Sequence, residues 1–291
     1  MSISNSTTLN DLVGQIVSAD AQSASYDARV MRPLVRSVAL PPGAGSIVVP
    51  RFQALTVAGL TEGVAPGSTA WSTDGVTLTP VERGVYVQIA KRVLHADPFA
   101  DLAPYGEQIG RALAMDEDAL ILAAIDPATI VNDQTSGADN ITQYDLLEAI
   151  SLLEQNNAPP PYFFVGHPIA IGKLRLALAN AATYDVVGAA IATGFGEGVT
   201  NLAGYAFTAF GVPCFMSTQV GTTDGGAAIV NKMFSREACG YAFIQDIGVD
   251  VDENITARAF DLMGWYSGDA DELVDLWSVA VEDDTDGVFG T

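Results

Sequence analysis

VYVQIAKRVLHADPFADLAPYGEQIGRALAMDEDALILAAI, residues 85–125, contains the sharpest change of texture in the chain. Its opening alternates with period two, placing Val85, Val87 and Ile89 on one face of a strand and Tyr86, Gln88 and Ala90 on the other. From Asp97 the period becomes helical. Asp97 stands as N-cap before Pro98 in the first turn, Asp101 adds favourable charge at the N-terminal end, and Asp126-Pro127 ends the run. Leu102, Tyr105, Ile109, Leu113 and Leu120 form one stripe, with Glu107, Arg111, Glu117 and Asp118 on other faces. A helix over 97–125 would be ~40 Å long, and Pro104 and Gly106 are the places where it would split or bend.

Upstream of this passage, PPGAG from Pro41 leads into the strand SIVVPRF (46–52). A long two-armed excursion follows: QALTVAGL (53–60) outward, the Gly/Pro-rich tip TEGVAPGSTAWST (61–73), and a return arm from Val76 through Val85, Val87 and Ile89. A hairpin of this length without a core of its own is marginal alone, so something else must cover it. Residues 1–30 are polar, with Leu9, Leu12, Val13 and Ile16 at helical spacing. They read as an arm with one or two amphipathic turns, needing a partner surface for order. The opening twenty residues have neither the basic start nor the apolar run of a secretory signal.

Downstream, the polar turn NDQTSGADN (132–140) introduces a second helix, with Thr142 as N-cap and Leu146, Leu147, Ile150 and Leu153 as its apolar face. YFFV reads as a buried strand and IAIGKLRLALAN as a short helix. Residues 181–200 are Ala/Gly-rich and end in GFGEGVT, a loop. Short strands then succeed one another: LAGYAF, VPCFM, AAIVNKMF, GYAFI, IGVDV, NITARAFDLMGWY and LVDLWSVAV. The class is α+β, with one dominant helix and a strand-rich second half.

The chain has 291 residues, enough to bury a large core without disulfides, and it sets 13 Lys and Arg against 35 Asp and Glu for a formal charge of −22. That balance disfavours tight or specific binding to nucleic acid, whose affinity comes from cations displacing counterions. Asp outnumbers Glu, and lysine occurs only at Lys91, Lys173 and Lys232. Such a surface suits a salt-loving host, because molar salt screens its self-repulsion. Mean hydropathy is nevertheless positive at +0.26, although runs such as ALILAAI (119–125) fall short of the ~20 residues that span a bilayer. Cys214 and Cys239 sit in apolar surroundings and read as reduced, buried thiols, with assembly inside a cell.

Candidate chemistry is sparse. His95 and His167 are far apart and outside any cluster with metal-ligand spacing, and no G-x-S-x-G elbow accompanies a triad. GFGEG (194–198) lacks the Gly-Lys-Ser/Thr ending of a phosphate loop. DVDENITARAFD (250–261) places Asp250, Asp252 and Asn254 at calcium-loop positions, but Ile255 stands where that loop needs Gly, and strand alternation through Ile247, Val249 and Val251 explains it better. Asp269, Asp271, Glu272, Asp275 and the tail EDDTDG read as solvated or inter-subunit carboxylates. No catalytic, cofactor-binding or metal-binding residue is assigned, and no cofactor is expected. Trp71, in the Gly/Pro tip, either anchors on a partner or tucks beneath its own loop.

The order of elements, together with VQIAKRVLHADPFADLAPYGEQIGRALAMDEDALI, TNLAGYAFTAFGVPCF and GGAAIVNKMFSREACGYAFIQDIGVDV, resembles the major capsid protein of tailed double-stranded DNA viruses, the Hong Kong 97-type fold, over roughly residues 25–282. The resemblance implies an N-terminal arm (1–35) and a peripheral domain (36–52, 91–140 and 246–291) with its spine helix at about 97–125. An extended loop (53–90) and an apical domain (141–245) complete it. It implies a structural protein, not an enzyme, that assembles as hexamers and pentamers into the icosahedral head of a virion in the host cytoplasm. Its partners would be copies of itself, scaffold, portal and decoration proteins, and packaged double-stranded DNA enclosed without tight binding; no membrane is involved. Trp71 and Glu62 in the loop, Arg51, Arg83 and Arg92 flanking it, and Phe195 and Glu197 are the inter-subunit contact candidates. The loop has no lysine before Lys91 at its base, which speaks against isopeptide cross-linking, and the arm is too short for a fused scaffold, which implies a separate scaffold or a longer precursor. Alternatives are an encapsulin-like nanocompartment shell, an acidic α+β enzyme, and a tail-tube or decoration protein.

Overall fold

The structure, a computed structural model, describes residues 6–41, 43–52, 73–92, 103–127, 129–133, 140–180, 202–223 and 228–284. Two sheets and four helices account for most of them. The first sheet has the order β1-β11-β12-β4, from Arg36–Ala39, Cys239–Asn254, Ala259–Glu272 and Val81–Ala90. β1 runs parallel to β11 from Arg36↔Gly240 to Ala39↔Phe243, and the other pairs are antiparallel.

Alternation in these strands sends Ile89, Ile247, Val249, Leu262 and Tyr266 to one face, where they meet Ile109, Leu113 and Ala114 of the helix α2 (Ala103–Ala124). Gly264 lets the helix approach: a Cβ there would lie 3.1 Å from Leu113 Cδ1. The C-terminal half of α2 belongs to a different core. Ile121, Leu122 and Ile125 pack with Phe163, Val165, Phe215 and Phe234. Those aromatic positions line one face of the second sheet, ordered β5-β13-β10-β6-β8-β7 with β9 on β10. Its strands are β5 (Ile130–Val131), β6 (Tyr162–Gly166), β7 (Tyr205–Ala209), β8 (Val212–Met216), β9 (Thr222–Thr223), β10 (Ala228–Ser235) and β13 (Ser278–Asp284). Its opposite face, with Phe164, Cys214, Met233, Val279 and Val281, is covered by α3 (Gln143–Gln155) and α4 (Pro168–Asn180). The long helix therefore joins the two cores, one at each end.

Several expectations are corrected by the fold. α2 is unbroken from Ala103, with Pro104 in its first turn and Gly106 serving as a contact instead of a bend; residues 97–102 lie outside the described part. The arm is a helix, α1 (Ser6–Ala28), far longer than one or two turns. Its second half has a partner surface in its own chain, since Val17 and Ala21 are buried with α2 and β11; the side chains of Leu9, Leu12, Val13 and Ile16 lie outside the described part. The crossing is close because Gly106 and Gly110 face it: a Cβ on Gly106 would lie 2.8 Å from Val17 Cγ1, and one on Gly110 would overlap the Ala21 carbonyl.

The return arm divides. β3 (Thr73–Leu78) pairs with β2 (Ile47–Phe52), whereas β4 pairs with β12, a strand some 170 residues later in the sequence. Residues 53–72 are outside the described part. On α3, Leu147 is 39% exposed, and Ala149 stands with Leu146 and Leu153 in the core. Thr142 holds the N-cap, its N–H and hydroxyl both donating to Asp145 Oδ2, at 2.6 and 2.9 Å. GYAFI and IGVDV form one continuous strand with two register shifts, so β11 crosses residues 245–246 without a break.

Candidate assembly surfaces

Among the described residues no group of His, Cys, Asp and Glu could hold a metal ion, and no helix is long and apolar enough to cross a membrane. His167 is engaged locally: its N–H donates to Asn231 Oδ1 (2.9 Å), its Nδ1 accepts from the Ile169 N–H (3.3 Å), and burial lowers its pKa. Cys214 and Cys239 are buried free thiols whose pKa burial pushes up to about 12. The 250–261 stretch is the far end of the β11–β12 hairpin. There Asp261 accepts from Asn254 (3.0 Å) and Gln88 (2.8 Å) while Ile247 and Val249 turn inward. His95 and 194–198 lie outside the described residues.

The buried ion pairs fall into two clusters. In the first, Arg29 at the exit of α1 pairs with Glu117 of α2 (2.8 Å) and with Asp246 of β11, and Arg32 reaches Asp246 (2.9 Å) and Glu117 (3.6 Å). Beside them Asp118 accepts the N–H groups of Val30 (3.0 Å) and Met31 (2.9 Å). Glu117 and Asp118 are 1% and 2% exposed, not on outward faces as helical periodicity suggested. Burial is the largest influence on both and raises them, Asp118 to about 7; burial also raises Tyr241, whose hydroxyl adjoins Glu117. Arg29 and Asp246 hold their charges through mutual pairing: Asp246 sits below the usual carboxylate range. Arg32 also stacks on the Phe243 ring at 4.0 Å. A cleft of about 400 Å³ opens beside the cluster, lined by Tyr26, Arg29, Arg32, Ser37, Leu202 and Asp246. Its guanidinium groups are taken up by carboxylates of the chain itself. The arrangement clamps the segment after α1 onto the long helix.

In the second cluster Asp283 accepts from Lys173 (3.3 Å) and from the Ile141 N–H (2.9 Å), with both charged side chains buried. Part of the tail EDDTDG is thus internal: Glu282 and Asp283 are core residues, since β13 runs through the sheet. Sequence reading missed both clusters. Their only early trace was the placing of acids beside Ala and Leu in otherwise apolar stretches.

The contact candidates are placed unevenly. Arg83 pairs with Asp116 of its own chain (3.3 Å), both half exposed. Arg92 is exposed, and Arg51 lies on β2 with its side chain outside the described part. Trp71, Glu62, Phe195 and Glu197 also lie outside it. The outward face of the first sheet shows what periodicity did indicate: Tyr86 is 59% exposed opposite Met263, and Trp265 Nε1 donates to Asp250 (3.1 Å). Tyr86, Met263 and Trp265 share this face with Gln88, Asp250 and Asp261, so the surface mixes aromatic and acidic groups.

No protein-family model matches the sequence, and no curated protein matches it. Solved structures do. The structure from Mycobacterium phage Che8 is similar with a TM-score of 0.60 at 16% identity, covering 85% of this chain and 86% of that one. The capsid structure of the cyanophage P-SCSP1u matches with a TM-score of 0.62 at 14% identity, covering 88% of each chain. The SrpI encapsulin of Synechococcus elongatus matches with a TM-score of 0.58 at 12% identity, covering 88% of this chain and 86% of that one. The likeness extends over most of this chain and of each matched chain, and the chain has the Hong Kong 97-type capsid fold.

Proposed function

We propose that the chain is the major capsid protein of a tailed double-stranded DNA virus, self-assembling as hexamers and pentamers into an icosahedral head. The observation that carries this reading is the end-to-end likeness to phage capsid structures, 85–88% of both partners, with no large part of either chain left over. In this reading the long-stranded sheet and α2 serve the peripheral domain, residues 141–245 largely the apical one, and 53–90 the extended loop. The protein acts by its interfaces and not as an enzyme. Its charge of −22 fits a shell that encloses DNA without gripping it. Scaffold, portal and decoration proteins would be its partners, the virion its place, and the host cytoplasm its site of assembly.

Negative-stain microscopy and light scattering of the purified protein in molar and in low salt test the reading. Closed shells or capsomer rings are expected, and loss of shells in low salt would fit a halophilic host. A monomer at every salt concentration would refute it. The likeness to the SrpI encapsulin supports a second reading, a nanocompartment shell. Particles purified from a native source separate the two: packaged double-stranded DNA supports the virus, an enclosed protein cargo the compartment.

A further inference from the structure

The outward face of the first sheet carries a regular array. Register places Tyr86, Met263 and Asp250 in one row across β4, β12 and β11, with Gln88, Asp261 and Asp252 in the next. On the other side of the first row stand Gly84, Trp265 and Gly248. Tyr86 is 59% and Met263 42% exposed, and Asp250 and Asp252 are exposed beside them. Arg83 is the one basic residue in these three strands, and its side chain turns to the other face to reach Asp116 of α2 (3.3 Å). The strands therefore give this face aromatic, thioether and carboxylate groups and no cation.

Trp265 has glycine as its cross-strand neighbour on both sides. On the β4 side the Met263 methyl leans over Gly84, 2.9 Å from where a Cβ would stand. On the β11 side a Cβ on Gly248 would meet only the Gln245 amide, at 3.8 Å, which leaves a slot beside the indole. Asp250 borders that slot and accepts the indole Nε1–H (3.1 Å). An aromatic ring with a carboxylate at its edge satisfies a guanidinium twice, by stacking and by a charge-assisted hydrogen bond. An ammonium, compact and strongly hydrated, gains less from the ring.

We infer that this face docks an arginine-bearing segment of a second, basic protein, with an arginine over Gly248 against Trp265 and Asp250. A second copy of the chain is a poor occupant. It sets 35 acidic residues against 13 basic ones, and many of those cations already pair with its own carboxylates, Arg29, Arg32 and Lys173 among them. Nucleic acid is repelled by the same carboxylates. The inference goes beyond the shell reading and concerns the single subunit.

The test titrates the full-length, unassembled chain into a fluorescein-labelled heptapeptide of alternating arginine and threonine, read by anisotropy, with the lysine counterpart in parallel. The arginine peptide is expected to bind about threefold tighter or more. Asp250→Asn/Asp252→Asn should weaken it about fivefold or more. Glu148→Gln/Glu154→Gln removes the same charge from the exposed side of α3 and should leave binding unchanged. Trp265→Leu should leave lysine binding as it was and erase the arginine advantage. In molar salt, where the Debye length is ~3 Å, both peptides weaken but the arginine advantage should persist, because stacking is not screened as charge is. Melting curves of each variant confirm that the subunit is folded. No binding by the parent, or equal loss in the two charge-removed variants, would overturn the inference. Closed shells that fail to bind a peptide the subunit binds would assign the face to neighbouring copies and overturn it too, with the shell reading intact. A parent that never assembles removes the shell reading and leaves the peptide result standing.

Discussion

Replacing Gly110 by alanine separates two physical effects of opposite sign. Helix propensity alone favours alanine by about 1 kcal/mol in a helix interior. The crossing with α1 opposes it: the new methyl would overlap the Ala21 carbonyl oxygen and sit 2.9 Å from the carbonyl carbon, where ordinary contact begins at 3.4 Å. What lies there is backbone, which cannot rotate aside, so α1 must withdraw by roughly 1 Å, forfeiting about a quarter to a half of the dispersion energy across the gap. Overpacking of this kind costs about 1–3 kcal/mol, and a rigid obstacle places it near the upper end. Net destabilisation of about 2 kcal/mol follows, a fall in melting temperature of about 4 °C for a chain of this size. Thermal melting of the unassembled subunit reads the first quantity. Limited trypsin digestion reads the second, because cleavage after Arg29, 5% exposed in the folded chain, should accelerate as α1 lifts. A melting temperature that rises, as propensity alone demands, with unchanged cleavage would refute the close crossing.

Asp118 gives the subunit a pH dependence. Burial raises its carboxyl from 3.8 to about 7, so its contribution to stability is fully present below about pH 4 and is lost as pH rises through about 7. Glu117, also raised by burial, acts in the same direction, and Asp246, lowered, against it. Asp118→Asn keeps an acceptor for Val30 and Met31 and should flatten the melting temperature against pH between 4 and 7; an unchanged slope would show that the carboxylate does not titrate there. In the second cluster, Asp283→Ala strands the buried Lys173 ammonium and should cost about 3–5 kcal/mol in urea titration. Lys173→Met/Asp283→Leu should restore much of that loss, and a double variant as unstable as the single one would contradict the account.

Where the fold was legible in the sequence, a local pattern sufficed. The stripe through Ile109 and Leu113, the alternation at Val85, Val87 and Ile89, and the Thr142 cap each depend on neighbours within a few residues. The order of such elements carries the resemblance to the capsid fold. What escaped depends on distant partners. Glu117 and Asp118 looked outward because their counterparts, Arg29 and the Val30 and Met31 amides, are nearly ninety residues away. Gly106 looked like a weak point in a helix, since nothing local shows that another helix will press against it and against Gly110. The division of the return arm was hidden for the same reason: β3 and β4 are separated by two residues yet belong to different sheets. Leu147 and Ala149 show a finer limit. The helical period was right, but which of two adjoining faces turned inward depended on how the helix meets the sheet, which no residue of the helix records.

The last strands of the chain occupy the middle of both sheets. β11 and β12 lie between β1 and β4, and β13 lies between β5 and β10. Pairing Arg36 with Gly240 closes a loop of about two hundred residues, the kind of long-range contact that makes folding slow. During synthesis, the first two thirds of the protein can form helices and the small β2–β3 ribbon but neither layer, and their apolar faces wait uncovered until residue 284 has left the ribosome. A chain that stops before residue 239 lacks β11, β12 and β13, so neither layer can close and the apolar faces of the helices stay open.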